Sequence, residues 1–184
     1  MNTCIYFVRH AHSVYTPEEL ERPLSEKGAR DAIRVTALLK DKNIDAVCSS
    51  PYKRAVETVE GTASIHKLKI DIYEDMKERT LSREPVEDFS QAIGKVWREP
   101  HFSFPGGESN LQAQKRGVRC FLNMLDKYAG KSVAVGTHGN IMVLIMNHFD
   151  DRYNLDFWKG LEMPDIYKMT FDGKVLVEVE RVWE

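Results

Sequence analysis

Six short runs of apolar residues punctuate the chain, each cut off by polar, glycine or proline positions. Cys4–Val8, Ile44–Cys48, Lys69–Tyr73, Ser132–Gly136, Ile166–Phe171 and Val175–Val182 read as strands. Cys4-Ile5-Tyr6-Phe7-Val8 is a continuous run of branched and aromatic residues, as expected of a strand buried on both faces of a parallel sheet. The last run differs. Val175, Val177 and Val179 alternate with Leu176, Glu178 and Glu180, which suits a place near a sheet edge. Asp172-Gly173, between the last two runs, predicts a hairpin turn.

Between the strands the spacing turns helical. Ser25 is placed to cap a helix through Lys40, with Glu26 near its positive end. Ala29, Ala32, Ile33, Thr36 and Leu39 fall along one face of that helix, which predicts the buried side. A second helix is expected from Tyr52 to about His66, after Pro51. Ser109 caps a third that ends near Gly130, with Leu111, Val118, Leu122 and Leu125 inward. A fourth begins near Gly139 and carries the apolar run Ile141–Met146, whose methionines are core. The stretch 76–109 is less regular, broken by Pro85, Pro100, Pro105, Gly106 and Gly107. Two readings of it stay open: an inserted lid, or a core-packing excursion with a surface loop. Strand–helix alternation followed by a hairpin predicts the α/β class, with a mixed, mostly parallel sheet and helices on both faces. A chain of 184 residues suits one domain over 1–184.

The composition is that of an ordinary globular protein, 42% hydrophobic and 29% charged. A net charge of −2 offers no broad attraction to nucleic acid or to a membrane surface, so any anion site must be a local cluster. The three cysteines are odd in number and lack metal-ligand spacing. Cys4 and Cys48 lie in apolar runs, which points to a reducing, cytoplasmic setting. No signal-like start precedes the first strand, and no segment reaches the roughly 20 apolar residues of a membrane span.

Three strand ends carry similar chemistry. The first is followed by Arg9-His10-Ala11-His12-Ser13. The second runs into Ser49-Ser50-Pro51, with Arg54 in the first turn of the next helix. The fourth ends in Thr137-His138-Gly139-Asn140. In an open α/β sheet ligands bind beyond the carboxyl ends of the strands. If these strands are parallel neighbours, two arginines and two histidines share one rim with exposed helix-start amides. Bidentate arginine donors and a histidine nucleophile suit a phosphate monoester.

In these segments the chain resembles the histidine phosphatase superfamily, also called the phosphoglycerate mutase-like family. The likeness rests on Arg9-His10-Ala11-His12-Ser13, Leu24–Gly28, Ser49–Thr58, Lys77-Glu78-Arg79, Pro105-Gly106-Gly107-Glu108-Ser109 and Thr137–Asn140, in that order and spacing. It implies the fold of that family, with His10 as the nucleophile that becomes a phosphohistidine. It also implies that Arg9, Arg54 and His138 hold the phosphoryl oxygens and that Glu78 protonates the leaving oxygen. Read alone, Glu78 sits in a charged run that suits a solvated loop. Ser13 and Thr16 are expected to line the phosphate pocket, although many family members carry asparagine where Thr16 stands. Gly139 allows close backbone approach to phosphate, or serves simply as a helix-start glycine. His12 lacks the companions that would complete a metal site, so neither metal nor other cofactor is expected.

The expected reaction is hydrolysis of a small phosphate monoester, such as a sugar, glycolytic or nucleotide-type metabolite. The mutase branch is typically longer, with a mobile carboxyl-terminal tail, whereas this sequence closes on the strand-like run Val175–Trp183. Three alternatives stand beside it: a phosphoglycerate mutase, a protein phosphohistidine phosphatase, and a non-catalytic phosphate-binding module. Neither nucleic acid nor membrane is an expected partner, and the oligomeric state is left open.

Overall fold

A computed structural model describes residues 1–184. Six strands form one sheet: β1 (Thr3–Arg9), β2 (Ala46–Ser49), β3 (Ile70–Ile72), β4 (Ser132–Thr137), β5 (Asp165–Asp172) and β6 (Val175–Arg181). Their order is β3-β2-β4-β1-β5-β6. β3, β2, β4 and β1 run parallel, and β5 and β6 add an antiparallel hairpin. β6 is an edge strand, as its alternation predicts, and Gly173 in the preceding turn takes a positive φ of 58°.

Six helices join the strands: α1 (Glu26–Leu39), α2 (Lys53–Ile65), α3 (Phe89–Arg98), α4 (Asn110–Lys127), α5 (Gly139–Phe149) and α6 (Leu155–Lys159). Successive β1 residues point to opposite faces of the sheet. Ile5 and Phe7 join a core with Phe121 and Met124 of α4 and Met142 and Ile145 of α5. Tyr6 and Val8 pack on the other face with Val35 and Leu39 of α1 and Val59 and Ala63 of α2. Helices therefore cover both faces, and the mixed, mostly parallel α/β architecture is the one the sequence pattern predicts.

Three expectations are corrected. The buried side of α1 is Gly28, Asp31, Val35 and Leu39, whereas Ile33 is 70% exposed and Ala29 is exposed. The cause is the close seating of α1 against the loop after β1. A side chain at Gly28 would fall 2.0 Å from the His12 carbonyl oxygen, so glycine faces inward there and turns the helix away from the purely apolar face. In α4 the inward side is centred on Ala113, Gly117, Phe121 and Met124, with Val118 and Leu125 buried and Leu111 and Leu122 only half-buried. The irregular stretch contains a third correction, the helix α3. Asp88 caps it by accepting from the Gln91 amide at 2.9 Å, and Ala92, Ile93 and Val96 are buried.

Candidate active site

The carboxyl ends of β1, β2 and β4 meet at one cavity of about 750 Å³. β1 and β4 pair in parallel from Cys4 to Arg9, so Arg9-His10 and Thr137-His138 leave the sheet side by side. The His10 amide donates to the Thr137 carbonyl at 2.9 Å, which extends that pairing by one residue. The Ala11 amide donates to Thr58 Oγ1 at 3.0 Å, and Thr58 Oγ1 donates to the Arg54 carbonyl at 2.7 Å. This buried hydroxyl locks the His10 loop to α2, the helix that carries Arg54.

His10 is 7% exposed. Its Nδ1 lies 2.8 Å from the Ala11 carbonyl. A carbonyl only accepts, so Nδ1 carries the proton and Nε2 keeps its lone pair. Arg54 Nε donates to that Nε2 at 3.3 Å. Burial pushes the His10 pKa down to about 3; the Ala11 carbonyl pulls it up, and Arg54 and Arg9 push it lower. The result is a neutral imidazole with an unprotonated nitrogen beside a cation.

His138 is fully buried, its ring edge-on to His10 with centroids 5.1 Å apart. Burial first, and then coupling to His10 and the positive charges of Arg54 and Arg9, holds its pKa well below the ordinary histidine value. Its Nε2 is 2.7 Å from Ser50 Oγ, and that hydroxyl oxygen accepts from the Tyr52 amide. Its Nδ1 has no partner within the protein. Arg54 donates from Nη1 to the Glu19 carbonyl and from Nη2 to Glu19 Oε1, at 2.9 and 3.2 Å. Arg22 forms an ion pair with the other oxygen of the same carboxylate at 3.3 Å. Arg9 donates from Nη1 to the carbonyls of Leu161 and Glu162, and its Nε is buried without a partner. Burial lowers the pKa of both Arg9 and Arg54.

Glu78 is drawn in from a loop that follows a short 3₁₀ turn at Glu74–Met76. Its Oε1 accepts from the amides of Ile141 at 2.9 Å and Arg79 at 2.8 Å, and its Oε2 accepts from the Asn140 amide at 3.0 Å. A carboxylate on the first amides of α5 satisfies donors that the helix cannot pair internally. Glu78 also lines the cavity, so it is not the solvated loop residue its charged neighbours suggest.

Of the residues singled out in the sequence, Arg9, His10, Ser13, Arg54, Glu78 and Gly139 line the cavity, and His138 lies behind its wall against His10. Thr16 stands apart. Its hydroxyl donates to the Glu18 carbonyl at 3.0 Å, and it is not part of the lining. At Gly139 the close neighbour is Arg9. A Cβ there would lie 3.0 Å from Arg9 Nε and 3.2 Å from Trp158 Nε1. The sequence reasoning assigned no role to Ser50, Glu19, Arg22 or Arg79. Ser50 and Arg79 lie inside the quoted motifs, and their partners were the missing signal. Leu81, Phe89, Trp158 and Met163 add apolar surface to the cavity lining.

Compared with known proteins, the chain matches the family model of the histidine phosphatase superfamily (branch 1) over residues 5–180. Phosphoserine phosphatase 1 of Hydrogenobacter thermophilus is 29% identical over 157 residues, covering 78% of this chain and 70% of that protein. The 2,3-bisphosphoglycerate-dependent phosphoglycerate mutase of Chlamydia caviae is 25% identical over 187 residues, covering 78% and 82%. Among solved structures, an Entamoeba histolytica phosphoserine phosphatase mutant in complex with phosphoserine superposes with a TM-score of 0.78. It is 18% identical and covers 96% of each chain. A mycobacterial glucosyl-3-phosphoglycerate phosphatase superposes with a TM-score of 0.76 at 16% identity, covering 98% of this chain and 97% of that one. The two solved structures share the fold. No helix of the chain is long and apolar enough to cross a membrane.

Proposed function

Because the chain belongs to the histidine phosphatase superfamily, we propose that it is a metal-independent phosphatase acting on small phosphate monoesters through a phosphohistidine at His10. The observation that carries this reading is the state of His10. Its Nδ1 proton is committed to the Ala11 carbonyl, and its Nε2 lone pair is held at 3.3 Å by Arg54 at the cavity wall.

In the first step Nε2 attacks phosphorus, a P–N bond forms and the ester P–O bond breaks. Glu78, which must enter this step in its protonated form, gives its proton to the departing oxygen and is left as a carboxylate. In the second step Glu78 takes a proton from water, which attacks phosphorus and releases inorganic phosphate and neutral His10. Phosphoryl transfer asks the protein mainly for position and charge. Arg9 and Arg54 supply the charge. The Ser50 hydroxyl proton has His138 Nε2 as its acceptor, which leaves the His138 proton on Nδ1 as a further donor to a phosphoryl oxygen. A phosphoryl group engaging Arg54 takes the place that the Glu19 carboxylate holds.

Hydrolysis is favoured over transfer because the rim is open: His12 is exposed and Phe89 is 56% exposed. A mutase has to keep water from its phosphohistidine. Arg79 narrows the substrate class. It is 4% exposed and lines the cavity, its Nη1 donates to Asn110 Oδ1, and its Nε is unpartnered. A buried guanidinium without a carboxylate partner suits a second acidic group on the substrate. The two curated relatives are named for phosphoserine and for phosphoglycerates, whose carboxylates meet that description.

The test is hydrolysis of p-nitrophenyl phosphate in excess chelator, wild type against His10→Ala. Turnover that survives the chelator and vanishes in the variant is expected. Activity that persists in His10→Ala, or that the chelator abolishes, would overturn the proposal. Transfer between the two phosphoglycerate positions that outpaces phosphate release would make the chain a mutase.

A further inference from the structure

The segment Pro105-Gly106-Gly107-Glu108-Ser109 plays no part in the chemistry above, yet it leads to Glu78. Glu108 closes a bidentate ion pair with Arg116 of α4: Nε to Oε1 at 2.6 Å and Nη2 to Oε2 at 2.8 Å. The remaining donors of Arg116 all go to the Glu78 segment. Nη1 donates to the carbonyls of Asp75 and Lys77 at 2.8 and 3.0 Å, and Nη2 donates to the carbonyl of Glu78 itself at 3.2 Å. Glu108 grips the far side. Its Oε2 accepts from the Thr80 amide at 3.2 Å, and its own amide donates to the Thr80 carbonyl at 2.7 Å.

We infer that the Arg116–Glu108 pair is a positioning device that sets the Glu78 carboxyl group at the reacting phosphoryl ester. The inference rests on the acid role proposed for Glu78. Between Lys77 and Thr80 the backbone has no strand or helix to hold it where Glu78 stands. One planar guanidinium instead gathers the carbonyls of Asp75, Lys77 and Glu78, while the Glu108 carboxylate takes the Thr80 amide and the Glu108 amide takes the Thr80 carbonyl. The ion pair is mostly buried, with side-chain exposures of 11% for Arg116 and 26% for Glu108. Burial pushes the Glu108 carboxyl up, but the bonds from Arg116 outweigh it and hold the pKa below the ordinary value, so the pair stays charged at neutral pH. The carboxylate end of Glu78 rests on α5 amides and its backbone on α4, so its place between the two helices depends on both anchors. Arg116 donors form a fixed fork, which a lysine cannot reproduce.

A displaced acid should harm poor leaving groups and spare good ones. In Arg116→Lys and Glu108→Gln, kcat/KM for phenyl phosphate should fall by roughly 10- to 100-fold, the order expected for a mispositioned catalytic group. For 2,4-dinitrophenyl phosphate, whose leaving group needs no proton, kcat/KM, which reports only the steps up to release of the leaving group, should stay within about 3-fold of wild type. Combining either change with Glu78→Gln should cost no more than Glu78→Gln alone, because groups that act as a unit are not additive. Glu108→Gln keeps the side-chain volume and carries the same test should Arg116→Lys fail to fold. Equal losses on both esters, or losses that add to those of Glu78→Gln, would overturn the inference while leaving the acid role intact. Glu78→Gln that loses equally on both esters would overturn the acid role and the inference with it.

Discussion

His10→Gln should change how folding stability depends on pH. The imidazole is buried, and its pKa falls from the ordinary 6.5 to about 3, first through burial, against the pull of the Ala11 carbonyl, and then through Arg54 and Arg9. Between those two values the unfolded chain binds a proton that the folded chain refuses. Stability is therefore complete above pH 6.5 and is lost progressively as pH falls toward 3. Each pH unit inside that window costs about 1.4 kcal/mol. From pH 7 to pH 5, His10 alone should remove roughly 2 kcal/mol. Glutamine cannot take up that proton, and its amide can still donate to the Ala11 carbonyl. Urea denaturation at the two pH values measures the effect. With a slope of about 2 kcal/mol per molar urea, the wild-type midpoint should fall by roughly 1 M more than that of the variant. His138 is held low as well, but it is present in both proteins and leaves the comparison standing. An equal fall in the two proteins would show that His10 is not the buried neutral base described here.

Three further outcomes are expected. Gly139→Ala places a methyl group 3.0 Å from Arg9 Nε and 3.1 Å from its Cζ, so steady-state kinetics should show kcat/KM reduced by about 10-fold or more with the melting temperature little changed. Arg79→Gln should raise KM for carboxylate-bearing phosphate esters by roughly 10-fold or more while leaving KM for p-nitrophenyl phosphate nearly unchanged, and equal effects on both would refute the second-anion reading. On α1, Val35→Ala should destabilise by roughly 1–3 kcal/mol in urea melts, whereas Ile33→Ala should stay within about 0.5 kcal/mol, and the reverse order would restore the face that hydrophobicity alone predicts.

The sheet was legible because its central strand Cys4–Val8 is an uninterrupted apolar run, which a two-face burial leaves little else to be, and because its last strand alternates as an edge strand does. The order and type of the four long helices followed from caps such as Ser25 and Ser109, both of which accept an amide bond at their helix. Helix α3 was hidden in plain view. Phe89, Ala92, Ile93, Val96 and Trp97 keep helical spacing after the cap Asp88, but the prolines and glycines around them make the stretch read as irregular. The face of α1 was misread because hydrophobicity cannot register a glycine that faces inward for closeness to a backbone oxygen. At the site, residue types and motif order were enough to bring Arg9, His10, Arg54 and His138 to one place. The His10 tautomer was not legible, since it depends on which carbonyl meets Nδ1. Nor was the seat of Glu78, whose partners Asn140 and Ile141 lie more than sixty residues away in the chain.

The central place of β1 gives the cavity two walls of different softness. β1 is paired along its length by β4 and β5, Ile5, Phe7 and Val8 are fully buried, and the His10 amide is tied to Thr137. Backbone amides so enclosed exchange with deuterium only through opening of the whole sheet, with the full unfolding free energy as the barrier. The opposite wall, where Glu19 stands on Arg54, belongs to a segment of exposed residues with few backbone bonds, and it opens at small local cost. Deuterium labelling should accordingly separate the two walls by orders of magnitude in exchange rate, with His10 on the slow side and the Glu19 loop on the fast one.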